Sequence, residues 1–161
     1  MRKIIACLVI VLFCLSIPLA VQADKADVYR SMEAKLKAAS GDRSLAQGYE
    51  YAIVFGYSAN SADGFWWTGV AVYNFSAFDN NILIGAFDED GNVIAEATFI
   101  LGDGALRADL LVDFFDPPAT IPGVDGRASI AIFATEPFSA DKFVGNTDGG
   151  FGELERDGEP Y

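Results

Sequence analysis

The sequence predicts an all-β protein: an antiparallel β-sandwich preceded by one short helix. Three observations carry that prediction. Six or seven short apolar runs follow Gly48, with turn signals about every eight to twelve residues. Asp90-Gly91 stands between two of these runs, and this dipeptide closes tight hairpins because glycine readily takes a positive φ. Strands do not alternate with helices in the manner that builds a parallel sheet.

The elements follow in chain order. Met1-Arg2-Lys3 is a cationic start, Ile4–Leu15 is an unbroken apolar run, and Val21-Gln22-Ala23 is an A-x-A-like cleavage box. Together they read as a secretory signal peptide over residues 1–23. The 12-residue apolar run is shorter than the ~20 residues that span a bilayer. The expectation is export to the periplasm or the extracellular space, no stable membrane insertion, and a mature chain beginning at Asp24.

Residues 24–47 form the expected helix and linker. Val28, Met32, Leu36 and Ala39 fall on one face of a 3.6-residue period, Lys35 and Lys37 suit the negative end of the helix dipole, and Gly41 stops the helix. Residues 48–145 form the expected sandwich. Its strands are Tyr49–Tyr57, Phe65–Asn74, Ile82–Asp88, Asn92–Leu101, Ala128–Ala134 and Phe138–Val144. Ala105–Val112 fits either a strand or a helical turn. Asp116–Asp125, with Pro117, Pro118 and Pro122, reads as a long surface loop. Residues 146–161, Gly-rich and acidic, read as a flexible tail.

Composition removes several chemistries. The chain has no His, and its two cysteines, Cys7 and Cys14, lie in the leader. The mature chain therefore has no disulfide, no Cys nucleophile, no Ser-His-Asp triad and none of the usual zinc sites. Loss of Arg2 and Lys3 leaves 9 bases against 23 acids, a net charge of −14. The imbalance lies after Arg43, where only Arg107, Arg127, Lys142 and Arg156 oppose the acids. Such a surface repels phosphate backbones, so nucleic acid is not an expected partner.

Several segments form an ordered pattern: Trp67-Thr68-Gly69-Val70-Ala71-Val72-Tyr73-Asn74, Phe87-Asp88-Glu89-Asp90-Gly91-Asn92-Val93, Leu101-Gly102-Asp103-Gly104, Leu110-Leu111-Val112-Asp113-Phe114-Phe115, Gly126-Arg127-Ala128-Ser129-Ile130 and Thr135-Glu136-Pro137. In this order they resemble a β-sandwich module that recurs in secreted bacterial proteins, often in tandem or beside enzymatic domains. The resemblance covers Gly48–Val144. It implies an immunoglobulin-like sandwich used as an accessory or surface module, with no catalytic residues to carry over. The chain departs from the pattern at Phe75, where proline is usual, at Asp103, where Pro-Gly is common, and in having a single copy.

Candidate sites are few. Asp88 and Asp90 have the acid density that a weak calcium site uses, but Phe99 occupies the position where an EF-hand loop would need its last glutamate. A plain hairpin turn is the expectation, and no other cofactor is expected. Trp66 and Trp67, with Tyr73, could stack a sugar ring. Adjacent strand residues face opposite ways, so one Trp is expected in core packing and the other near an edge. Asp63, Asp88, Asp90, Asp125, Asp141 and Asp148 are the carboxylates from which a small hydrolase would be built. Free sheet edges offer self-association by strand addition. The functional expectation is a non-catalytic exported binding, adhesive or structural module of the bacterial envelope or extracellular space, with a protein or glycan partner. The alternatives are a carbohydrate-binding module and a carboxylate-dependent hydrolase.

Overall fold

A computed structural model describes residues 25–39, 48–58, 65–115 and 128–160. The expected leader, the expected 40–47 linker, the expected turn over residues 59–64 and the expected proline-bearing loop over 116–125 lie outside the described residues. Helix α1 spans residues 25–39. The strands are β1 (Tyr51–Ser58), β2 (Trp66–Asn74), β3 (Asn80–Phe87), β4 (Val93–Leu101), β5 (Leu106–Leu110), β6 (Ala128–Ala134), β7 (Phe138–Asn146), β8 (Phe151–Asp157) and β9 (Glu159–Pro160), with a 3-10 turn at Leu111–Phe114. They form two antiparallel sheets. The five-stranded sheet has the order β4-β3-β6-β1-β9, and the four-stranded sheet has the order β5-β2-β7-β8. Among the described residues no helix is long and apolar enough to cross a membrane.

The sheets face each other across one apolar layer. Alternate residues of β1, β2, β3 and β6, such as Ile53, Phe55, Val70, Val72, Ile82, Ile84, Ile130 and Ile132, meet there with Phe114, Phe115 and Phe138. Burying side chains of this size stabilises a fold by roughly 1.5–3 kcal/mol each. The segment over Ala105–Val112 resolves into both of its readings, strand β5 followed by the 3-10 turn. Leu111 and Phe114 of that turn are buried, so it caps the open side of the core.

A second apolar layer lies on the outer face of the five-stranded sheet. Tyr29 and Leu36 of α1 pack there on Ala52, Leu83, Phe87, Ala131 and Phe133. The near-continuous apolar runs of β3 and β6 have this cause, since those strands are buried on both faces. The helix face is rotated from the expected one. Tyr29, Met32 and Leu36 turn inward, whereas Val28 is 50% exposed and Ala39 is exposed. Tyr29 offers more apolar area than Val28, and the two are neighbours on the helix, so the docked face shifts toward the larger side chain.

The C-terminal segment also differs from its expectation. Residues 146–161 carry β8, which pairs with β7, and β9, which pairs with β1. Composition suggested a tail. The Asn146–Gly150 turn and the ladder to β7 make it part of both sheets instead.

Candidate functional site

The short motifs singled out in the sequence divide into those that build corners and those that build a surface. The corner motifs converge on two buried asparagines. Asn74 Nδ2 donates to the carbonyls of Phe78 (2.8 Å), Leu101 (3.0 Å) and Gly102 (2.9 Å), and its Oδ1 accepts from the Ser76 amide. Asn80 Oδ1 accepts from the amides of Thr135 and Glu136, and its Nδ2 donates to the Glu136 carbonyl. These bonds join the β2–β3, β4–β5 and β6–β7 connections at one end of the sandwich. At Asn74, Leu101-Gly102 and Thr135-Glu136 the buried backbone groups of the turns thus find their partners.

The acidic hairpin is built the same way. Asp88 Oδ1 accepts from the amides of Asp90 (3.0 Å) and Asn92 (2.8 Å), and Oδ2 accepts from Asn92 Nδ2 (3.0 Å). Gly91 takes φ +75°, which closes the turn. The Asn92 side chain, followed by the backbone amides, holds the Asp88 carboxyl below its ordinary value. The β7–β8 turn repeats the device: Asn146 Oδ1 accepts from the amides of Asp148 and Gly150, and Gly149 has φ +88°. Asp88 thus works for the turn, and a cation would compete with those hydrogen bonds. Among the described residues no group of three or more His, Cys, Asp or Glu is placed to hold a metal.

The remaining carboxylates are dispersed. Asp141 stands mid-strand in the four-stranded sheet, Asp148 lies in the β7–β8 turn, and Asp88 and Asp90 close a hairpin of the other sheet. Asp63 and Asp125 lie outside the described residues.

The aromatic candidates separate by face. On β2, Val70 and Val72 point to the core, so Trp67, Gly69, Ala71 and Tyr73 alternate onto the outer face. The structure thus brings Trp67 and Tyr73 to one surface. Trp66 is on the other side of the strand at its start, 43% exposed and edge-on to Phe65 with ring centroids 5.5 Å apart. The Trp67 indole reaches over Gly145 of the neighbouring strand. A Cβ built on Gly145 would clash with its indole ring, and one built on Gly69 would touch the ring at 3.7 Å. Two glycines on paired strands therefore make the seat of the indole.

Register extends this face over the whole sheet. Leu106, Ala108 and Leu110 of β5 pair with Tyr73, Ala71 and Gly69. Ser139, Asp141, Phe143 and Gly145 of β7 pair with the same row from the other side. Phe151 of β8 pairs with Gly145, and its ring stacks on Phe143 at 6.1 Å and 13°. Phe151, Leu106, Leu110 and Tyr73 are all exposed, as is Phe75, whose ring lies 6.3 Å from that of Tyr73. Leu106, Leu110, Phe143 and Phe151 were missed in the sequence, although the alternation Phe143-Val144-Gly145 carried the signal. Reading β8 as tail removed the partner strand that makes it visible.

Cations sit elsewhere. The Arg107 guanidinium lies against both the Phe99 and Phe114 rings, 4.6 and 4.4 Å from their centroids, and its Nε donates to Asp109 Oδ2 at 2.9 Å. Lys142 is buried, its ammonium 5.6 Å from the Phe55 centroid.

A scan against protein-family models finds no match. A search of curated proteins also finds none. Among solved structures the chain is similar to the Anabaena sensory rhodopsin transducer, at 15% identity over 58% of this chain and 95% of that one, with a TM-score of 0.47. It is also similar to Thermotoga maritima 1070, at 11% identity over 70% of this chain and 96% of that one, with a TM-score of 0.48. Both likenesses are too distant to bring any property of those proteins to this chain.

Proposed function

We propose that this protein is an exported, non-catalytic binding module of the bacterial envelope or extracellular space, and that it works through the outer face of its four-stranded sheet. One observation carries the reading. The two sheets have outer faces of different fate: α1 covers the centre of that of the five-stranded sheet, over β1, β3 and β6, with Ile100 of the β4 edge left exposed, while the other sheet leaves Leu106, Tyr73 and Phe151 at 62%, 40% and 66% exposure. A contiguous apolar surface left open on a folded domain marks an interaction site. The signal-like leader supports export, and the lack of His and mature Cys supports a role without catalysis.

The immunoglobulin-like module is retained as a likeness of architecture, two antiparallel sheets over one core. In the strand order here β6 lies between β3 and β1, which differs from the immunoglobulin arrangement. A carbohydrate-binding role is the second reading. The indole of Trp67 over Gly145, on the face that also carries Tyr73, favours it.

The test is retention. The purified chain is immobilised and offered, separately, the envelope proteins and the polysaccharides of its source cell. A specific partner should be held by the natural chain and released by the Leu106→Ser, Phe151→Ser double variant, with melting unchanged. Equal retention by both chains, or none by either, refutes the face as the working surface.

A further inference from the structure

We infer that the occupant of this face is a cationic protein segment with apolar side chains, a Lys/Arg-bearing strand or helix rather than a second copy of the chain. The inference rests on the face being the working surface.

Charge is sorted across the four-stranded sheet. At the outer-face register positions stand Asp141 and, on β8, Glu153, Glu155 and Asp157, and none is Lys or Arg. The bases of this sheet, Arg107, Lys142 and Arg156, all fall at the alternate positions, paired with Val72, Val70 and Ala140. Acidic residues thus hold the outer-face register positions of β8 after Phe151, next to Asp141 of β7 and to the face on which Trp67, Phe143 and Phe151 are aromatic. A cation docked there gains twice, from the acidic register positions and from the ring faces.

The same sorting disfavours self-pairing. Two copies placed face to face would set acids against acids, in a chain already at −12. A partner with apolar side chains in the middle and Lys or Arg at one margin matches both halves of the surface.

The probes are three short synthetic peptides of equal length, alternating Lys/Leu, Glu/Leu and Lys/Ser, with a neutral linear hexasaccharide as a fourth. Binding to the purified full chain is followed by calorimetry and by tryptophan fluorescence. The Lys/Leu peptide should bind saturably, and its affinity should fall about tenfold or more between low and high salt. Asp141→Asn should weaken it severalfold and Phe151→Ser about tenfold, while Asp103→Asn, in the exposed β4–β5 turn, should change nothing. The Lys/Ser peptide should bind at least tenfold more weakly.

Equal binding of Glu/Leu and Lys/Leu peptides, or Lys/Leu binding indifferent to Phe151→Ser, overturns the cationic occupant. Hexasaccharide binding lost in Trp67→Ala, without Lys/Leu binding, overturns it while leaving the face as the working surface. No binding by any probe overturns it as well. The retention experiment with Leu106→Ser and Phe151→Ser then decides separately whether the face itself stands.

Discussion

Asn80 shows how much one buried amide can hold. It is fully buried and engages the backbone on both sides of the Thr135–Glu136 bend. Asn80→Ala removes the partner while the amides it served stay in place, and an unsatisfied buried group costs about 1–3 kcal/mol. Urea unfolding should show at least that loss. Two carboxyls behave oppositely with pH. Asp88 is held below its ordinary value by Asn92 and the turn amides, so its stabilisation is present above the unfolded carboxyl value and is lost as pH falls through the lowered one. Asp88→Asn should flatten the acid limb of the stability profile. Glu96 is raised by burial, so the folded state holds its proton longer than the unfolded state does. Stability should then fall as pH rises from the unfolded value to the raised one. Glu96→Gln should remove that slope and raise the melting temperature at neutral pH.

At the scale of elements, α1 is attached by geometry as much as by area. Leu36 is fully buried and sits directly on the backbone of Gly85, where a Cβ would overlap its side chain. Lys35 Nζ donates to the Gly91 carbonyl at 2.6 Å, and the Lys37 ammonium lies 5.1 Å from the centre of the Tyr49 ring. These lysines are tertiary anchors, in addition to suiting the helix dipole. Gly85→Ala should cost about 1–3 kcal/mol by overpacking, and Leu36→Ala about 2–5 kcal/mol by leaving a cavity. Both are read by chemical denaturation. A helix that only tethered the domain would show neither loss. The strands were largely legible: β6 begins and ends at its expected residues, and β2 and β4 differ by one residue at the start. Their apolar runs are bounded by Gly, Asp and Pro, which are strong local signals. β8 was illegible because acidic, glycine-rich strands lack the apolar alternation by which strands are recognised.

For the whole molecule, excess negative charge opposes compactness. The net charge of the chain is −12, and the acids crowd its β-rich part. Adding salt to about 0.15 M shortens the screening length to ~8 Å, so the melting temperature should rise by a few degrees from its low-salt value. No rise would mean that the acids are already separated well enough by the fold. The two sheets divide the remaining tasks. One has its central strands β3 and β6 buried on both faces and carries the larger part of the core, and the other has one buried face and one open face.

The sequence by itself determined the antiparallel two-sheet architecture, the positions of most strands, the helix that precedes them and the acidic character. Each of these depends on local periodicity, turn residues or composition. Tertiary structure alone decided which face of α1 docks, how Asn74 and Asn80 join distant turns, that β8 and β9 complete the sheets, and that Trp67 rather than Trp66 lies with Phe143 and Phe151. Those outcomes depend on register between strands far apart in the chain, and a shift of one residue would send every side chain of a strand to its other face.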